Sequence, residues 1–271
     1  MAIAGKSGRT ALGRLAAIST QWAVPIGIVA FWEVLSGIGV IPPHVLPAPS
    51  AVIAAGWRLT LTGELPWNVW VSFRRAMIGL LIGGGIGFVF GLANGLSRRA
   101  DEISDSTLQM VRNIPHLALI PLVILWFGID EIAKIFLVAL GVFFPIYVNT
   151  QHGIRNVDPQ LVEMGRIYGM SARVLFWRVL LPGALPSIFV GLRYALGIMW
   201  LTLTVAETIA ASAGIGYMAM QAREFLLVDV VVLSILIYAL LGKSADSVTR
   251  WLERRCLAWH PAFQSAAETD S

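Results

Sequence analysis

The sequence predicts an all-α protein that crosses a membrane several times. Of its 271 residues, 57% are hydrophobic and only 13% are charged, and the mean hydropathy is +0.74. A soluble domain carries about 25% charged residues, so this chain has too few polar side chains to cover its surface in water. The composition therefore excludes an ordinary soluble enzyme and a disordered chain. The single cysteine, Cys256, also excludes an intramolecular disulfide.

Uncharged stretches locate the predicted helices, because a spanning helix needs about 20 mostly apolar residues. Residues 76–97 and 135–154 contain no Asp, Glu, Lys or Arg, and residues 113–129 form a shorter uncharged stretch. Three further candidates contain one or two charged residues, and they are residues 22–41, 185–209 and 226–245. The sequence thus predicts six transmembrane helices.

The positions of the cations predict the orientation. With the N-terminus in the cytoplasm and six crossings, 15 of the 20 Lys and Arg residues fall on the cytoplasmic face. Cytoplasmic loops are enriched in these residues, so both termini are predicted to be cytoplasmic. We expect residues 1–21 to form a cytoplasmic segment, 22–245 a transmembrane domain and 246–271 a cytoplasmic tail. The same distribution explains the pI near 9.6 without nucleic acid as a partner.

Two segments do not have the pattern of a spanning helix. Residues 42–67 contain five prolines, and there Ser50 is predicted to cap a short helix that ends at Leu61. Residues 208–222 are uncharged, rich in Ala and Gly, and too short to cross. We expect both on the outer face, the second as a loop or as a re-entrant segment covered by protein.

The second predicted helix carries a glycine at every fourth residue: Gly79, Gly83, Gly87, Gly91 and Gly95. This spacing places small residues along one face, where another helix can approach closely. Static helix packing is the simpler interpretation, and a sliding or gating surface is the alternative.

The third predicted helix contains two prolines, Pro115 and Pro121, and one histidine, His116. Prolines remove backbone hydrogen bonds, and broken backbone at membrane depth needs protein partners or a water-lined path. The segment is therefore either a pathway helix or a kinked structural helix. Since the other histidines are far away in the sequence, we expect no metal site and no cofactor.

The loop of residues 155–182 falls on the cytoplasmic face and predicts two short helices. Asp158 and Pro159 are typical of a helix start, and Gly169 of the end of a helix over residues 161–168. Ser171 is predicted to cap a second helix that reaches Leu181 and is stopped by Pro182. The loop presents basic and large apolar side chains together, which suggests a docking site for a protein, or else a helix pair on anionic lipid. These side chains are Arg166, Arg173, Arg178, Val162, Ile167, Tyr168, Phe176 and Trp177.

The same loop resembles the EAA signature of ABC importer permeases, which forms their cytoplasmic coupling loop. Glu163, Met164 and Gly165 stand in the Glu-Ala-Ala positions, Gly169 follows six residues after Glu163, and Pro182 follows thirteen after Gly169. The resemblance implies a type I ABC importer permease fold and contacts with a partner ATPase. The coupling residues that it implies are Glu163, Met164, Gly165, Arg166, Tyr168, Gly169, Met170, Ser171 and Pro182.

Longer stretches, including residues 112–128, 181–186 and 200–207, resemble permeases of bacterial aliphatic sulfonate importers. This resemblance implies a homodimeric pore in the inner membrane, two ATPase subunits and a periplasmic binding protein. It also implies that the chain itself is not an enzyme. Related permeases carry taurine, nitrate or pyrimidine precursors. An ion-coupled secondary transporter and an intramembrane enzyme are alternatives, although the sequence lacks a clear internal repeat and a nucleophile or metal-ligand set.

Charged residues near the bilayer supply the remaining candidates for the pathway. An anionic substrate would be favoured by a cation, which makes Arg193 and Arg75 candidates, whereas the carboxylate of Glu207 would repel it. Structural ion pairing or snorkelling is the alternative role for all three residues.

Overall fold

A computed structural model describes residues 23–259, so the predicted cytoplasmic segment 1–21 and residues 260–271 lie outside the described part. Every element within residues 23–259 is helical, as the composition predicted. A 3-10 turn (His116–Leu119) precedes α5, and a π turn (Phe176–Leu180) precedes α9. The helices are α1 (Ala23–Gly37), α2 (Pro49–Leu61), α3 (Glu64–Leu96), α4 (Arg98–Arg112), α5 (Ile120–Phe127), α6 (Glu131–Arg155), α7 (Pro159–Ile167), α8 (Ala172–Leu175), α9 (Leu181–Ala210), α10 (Ile215–Glu224) and α11 (Val228–Cys256).

Within residues 23–259, four helical segments are long and apolar enough to cross a membrane. They are α3, α6, the continuous segment Ala172–Ile209 and α11. A bent pair of helices, Arg98–Arg112 with His116–Phe127, makes a fifth if it counts as one span, and α1 is a shorter apolar helix. The number of six transmembrane helices therefore stays a prediction.

The helix predicted over residues 113–129 is shorter than expected and is preceded by a break at Pro115, so whether this segment crosses the membrane stays a prediction. The chain bends by 76° between α4 and the helix that starts at His116. Only residues 116–127 are helical, and they extend for about 20 Å, which is less than the hydrocarbon core of about 30 Å. Pro121 lies in the first turn of α5, where its missing N–H group is tolerated.

The chain forms two compact units, of which the first contains residues 23–65 and 221–233. In this unit Ser50 does not cap α2, because Ala48 takes the capping position and Pro49 starts the helix. The Ser50 amide and hydroxyl instead donate to the Glu33 carboxylate at 3.0 and 2.7 Å. An ion pair of 3.5 Å joins Arg58 to Asp229.

The second unit contains residues 66–220 and 234–259, and its core lies between α3, α6 and α9. The glycines of α3 lie against α6. A Cβ atom added to Gly79 would lie 2.5 Å from the Val138 side chain, and one added to Gly87 would lie 2.5 Å from the carbonyl oxygen of Phe143. Gly83, Gly91 and Gly95 meet α6 in the same way. The stripe allows two helix backbones to pack in direct contact.

Three predicted boundaries differ from the structure. Helix α3 begins at Glu64, so Arg75 lies inside it and not in an outer loop. Pro182 does not stop a helix, because it lies in the first turn of α9 after the π turn. A π turn bonds each N–H group to the carbonyl five residues earlier, and it lets α8 continue into α9. Residues 208–222, predicted as a loop or a re-entrant segment, include most of α10, which begins at Ile215.

Candidate functional site

All predicted coupling residues except Pro182 lie in an elbow between α7 and α8, which we call the α7–α8 elbow (residues 158–175). Asp158 caps α7 by accepting a hydrogen bond of 2.8 Å from the Gln160 amide. The helix ends at Ile167 and is followed by the turn at Gly169, whose φ of +73° favours glycine. The amides of Gly169 and Met170 donate back to the carbonyls of Arg166 and Gly165 at 2.9 and 3.0 Å. This Schellman pattern fixes the turn that the sequence placed at Gly169.

Gly165 sets how closely the two arms of the elbow approach. It is buried, and an added Cβ atom would lie 2.6 Å from the Leu175 side chain. Ser171 begins α8, since its hydroxyl accepts a hydrogen bond from the Val174 amide at 3.4 Å. The Leu175 side chain could rotate away from a single added methyl group, but a large side chain in place of Gly165 would push α8 away from α7.

The surface of the elbow exposes large apolar side chains beside charged ones. Ile167 and Tyr168 are 79% and 76% exposed, and Trp177 of the following π turn is 60% exposed. Glu163 and Arg166 are also exposed, and so are Met164, Arg173 and Arg178. Exposed apolar patches of this kind mark interaction sites.

The base of the loop is tied to the preceding helices. Arg155, at the end of α6, forms an ion pair of 2.8 Å with Asp101 of α4. It also donates to the carbonyl oxygen of Asn94 in α3 at 2.9 Å. One guanidinium group thus joins the end of α6, three residues before the elbow, to α3 and α4.

Two of the predicted pathway residues, Arg75 and Glu207, form a buried ion pair of 2.8 Å. The Arg75 guanidinium also binds the Glu131 carboxylate through two nitrogens. Glu207 accepts further hydrogen bonds from the Ser72 and Tyr238 hydroxyls. Since two carboxylates neutralise Arg75, the geometry favours the structural role for this pair.

The network of Arg75, Glu207 and Ser72 also forms hydrogen bonds with the backbone of the segment between α9 and α10. Arg75 donates to the Ala213 carbonyl, and the Gly216 amide donates to Glu207 at 3.0 Å. The Ile215 amide donates to Ser72 at 2.9 Å. Gly214 has a φ of +117°, and an added Cβ atom would meet the Glu207 carboxylate at 2.6 Å. The segment is therefore fixed by its backbone to α3 and α9.

The remaining pathway candidates lie at three other places. The His116 ring nitrogen Nε2 lies 3.0 Å from the Thr202 hydroxyl, and His116 lines a cavity of about 390 Å³. Pro115 lies at the bend before the 3-10 turn, and Pro121 lines a groove with Val205. Arg193 forms an ion pair of 3.2 Å with Asp246. The structure does not bring the predicted pathway residues into one site.

Several polar residues at these places were missed by sequence reasoning. Nothing in the sequence singled out Glu131, although it pairs with Arg75. Tyr238 and Ser72 have no local sequence signal, because their shared partner Glu207 is 31 and 135 residues away. Among residues 23–259, no group of three or more His, Cys, Asp or Glu side chains is placed to hold a metal ion.

Residues 79–257 match the model of a protein family described as the inner membrane component of binding-protein-dependent transport systems. The chain belongs to this family, as the EAA-like loop predicted. It is therefore a permease subunit of an ABC transporter in the inner membrane, and not itself an enzyme. Membership implies an ATPase and a substrate-binding protein as partners.

Three relatives are similar over most of their length. One is the "Putative aliphatic sulfonates transport permease protein SsuC" of Escherichia coli, which is 60% identical over 89% of this chain and 92% of its own. The protein of the same name from Bacillus subtilis is 43% identical over 97% of this chain and 94% of its own. The taurine transport system permease protein TauC of Escherichia coli is 35% identical over 91% of this chain and 93% of its own.

A solved structure shares the fold. It is a crystal structure of an amino acid ABC transporter with histidines, with a TM-score of 0.58 and 19% sequence identity. The match covers 73% of this chain and 97% of that chain. The predicted class, an all-α polytopic permease, is confirmed by this likeness and by the family match.

Proposed function

We propose that this permease carries aliphatic sulfonates into the cell and so serves sulfur metabolism. The main support for this substrate class is a sequence comparison. The chain is 60% identical, over nearly the whole of both chains, to a relative named for aliphatic sulfonates. The relative named for taurine is only 35% identical. A related anion is the alternative substrate, and an ion-coupled mechanism is the alternative energy source.

We further propose that the α7–α8 elbow receives the partner ATPase. Its exposed apolar residues, Ile167 and Tyr168, would enter a groove on the ATPase, and Glu163 and Arg166 would contribute charged contacts at the edge. The Schellman turn at Gly169 and the buried Gly165 give the elbow a fixed shape, which favours the transmission of force. Met164, Met170, Ser171 and Pro182 complete the coupling set.

The assembly that we propose contains two copies of this chain, two ATPase subunits and one periplasmic binding protein. Both termini and the elbow would lie in the cytoplasm, because that orientation places 15 of the 20 cations on the cytoplasmic face. The segment 22–245 would form the transmembrane domain. The lipid-facing surface of the bundle would account for the many exposed large apolar residues of α3 and α11.

Uptake into proteoliposomes tests this function. The vesicles would contain the permease and ATPase with ATP inside, and the binding protein and labelled ethanesulfonate would be added outside. We expect uptake that requires both ATP and the binding protein, and that excess unlabelled ethanesulfonate suppresses more than excess taurine or nitrate does. Faster uptake of taurine or nitrate would refute the substrate class. Uptake that continues without ATP, on an ion gradient alone, would refute the energy source.

A further inference from the structure

We propose that the cavity beside His116 binds the sulfonate inside the permease, with Arg112 as the residue that recognises the anionic group. We call it the His116 cavity. This inference rests on the proposed function and names the substrate site within it. The cavity lies between the bend of residues 111–119, helix α6 and helix α9. Its lining residues are Val111, Arg112, Ile114, His116, Leu119, Leu140, Gly141, Phe144, Pro145, Val148, Asn149, Tyr194 and Ile198.

The size and lining of the cavity suit a small amphipathic molecule. Its volume of about 390 Å³ lies within the range of about 300–1,000 Å³ that is typical of small-molecule sites. Leu140, Phe144 and Ile198 supply apolar walls, while Arg112 and Asn149 supply polar groups. A sulfonate with a short alkyl chain has the same division between an anionic head and an apolar tail.

Arg112 is the candidate cation whose charge is available to a ligand. Arg75 is neutralised by Glu131 and Glu207, and Arg193 is paired with Asp246. None of the ion pairs among residues 23–259 involves Arg112, although Asp105 lines a second, smaller cavity with it. A guanidinium group also presents several N–H donors in a plane, which suits the oxygens of an oxyanion.

The other polar residues of the cavity are held in place by the protein. The His116 ring is fixed by its contact of 3.0 Å with the Thr202 hydroxyl. The Asn149 side-chain amide donates to the Pro145 carbonyl at 2.8 Å. Fixed polar groups lower the cost of ordering a site when a ligand binds. These two residues would therefore position the ligand, and Arg112 would supply the charge.

The lining also favours alkanesulfonates over related anions. Nitrate has no apolar tail to fill the space between Phe144 and Ile198. Taurine carries an ammonium group at the end of its chain. If its sulfonate were bound to Arg112, this charged group would lose its hydration and lie against apolar side chains, which is unfavourable. The cavity would therefore bind alkanesulfonates more tightly than nitrate or taurine, in agreement with the proposed substrate class.

Direct binding to the permease–ATPase complex, purified without the binding protein, tests the proposal. The probe is labelled butanesulfonate, and the measurement is equilibrium dialysis. We expect saturable binding to the unchanged complex. Arg112→Gln should raise the dissociation constant at least about tenfold, because a hydrogen-bonded charge pair is lost. Leu140→Trp, which fills the cavity, should weaken binding to a similar degree.

Arg99→Gln is the matched control, since Arg99 is an exposed arginine of the same helix that does not line the cavity. It should bind like the unchanged complex. Gel filtration and uptake in the complete system show whether each variant is assembled. An unchanged complex that imports butanesulfonate but shows no saturable binding would overturn the cavity site and leave the proposed function standing. Equal affinities of the Arg112→Gln and Arg99→Gln complexes for butanesulfonate would also overturn the cavity site and leave the proposed function standing. Failure of the complete, unchanged system to import any alkanesulfonate would instead refute the proposed function, and the cavity site with it.

Discussion

Replacing Gly83 by alanine should destabilise the permease, because this glycine lies directly on the backbone of α6. A Cβ atom at residue 83 would lie 2.6 Å from both the Cα and the carbonyl carbon of Ala139, and closer still to its carbonyl oxygen. These distances must increase beyond 3.0 Å, because shorter contacts of a Cβ atom essentially do not occur. A backbone carbonyl cannot rotate away as a side chain can, so the two helices have to separate.

The separation would loosen the whole glycine stripe, because Gly79 and Gly87 touch the same helix on either side. Overpacking of a core typically costs about 1–3 kcal/mol, and we expect the upper part of this range because the obstacle is backbone. A loss of about 3 kcal/mol lowers the ratio of folded to unfolded protein more than a hundredfold.

The assay is thermal unfolding of the purified permease in detergent, followed by the fluorescence of its tryptophans. Gly85→Ala is the matched control, since Gly85 lies in the same helix and an added Cβ atom would meet nothing within 4 Å. We expect a clear fall in the melting temperature for Gly83→Ala and none for Gly85→Ala. Equal melting temperatures for the two variants would refute the close packing of α3 on α6.

Two further substitutions test the polar network and the elbow. Glu207→Ala leaves the buried Arg75 with only one carboxylate partner, and should destabilise the fold by about 3–5 kcal/mol. Glu102→Ala removes an exposed pair in α4 and should change the melting temperature little; equal shifts for the two variants would contradict the structural role of the network. Gly165→Leu should push α8 away from α7 and lower ATP-driven uptake, while the amount of permease in the membrane stays unchanged. Uptake at the normal rate by Gly165→Leu would contradict the close approach of the two arms.

Features with local causes were predictable from the sequence. The apolar composition predicted an all-α membrane protein, and the glycine spacing predicted a helix that packs closely. Asp158 and Gly169 predicted where α7 begins and ends, because caps and left-handed residues act within one turn. The EAA-like spacing then pointed to the family.

Features that depend on distant residues were not predictable. Arg75 was placed just before the uncharged stretch 76–97 because the sequence does not show which residues pair with it. Partners 56 and 132 residues away allow it to be buried inside α3. Ser50 has the residue type of a cap, but the Glu33 carboxylate takes its hydrogen bonds. The π turn before α9 likewise depends on how helices pack, which no local pattern records.

ATP-driven uptake by variants at two equivalent helix ends tests the central claim most directly. Gly169 follows α7 in the elbow, and Gly63 follows α2; each has a positive φ, free space around an added Cβ atom, and an amide that donates to the carbonyl three residues earlier. Proline fits neither position, since its φ is fixed near about −65° and it has no N–H group.

The measurement compares Gly169→Pro and Gly63→Pro in proteoliposomes that contain equal amounts of permease, the ATPase and the binding protein. If the elbow couples ATP hydrolysis to sulfonate transport, Gly169→Pro should lose uptake of labelled ethanesulfonate while Gly63→Pro retains most of it. Normal uptake by Gly169→Pro at the same level of permease would contradict the account.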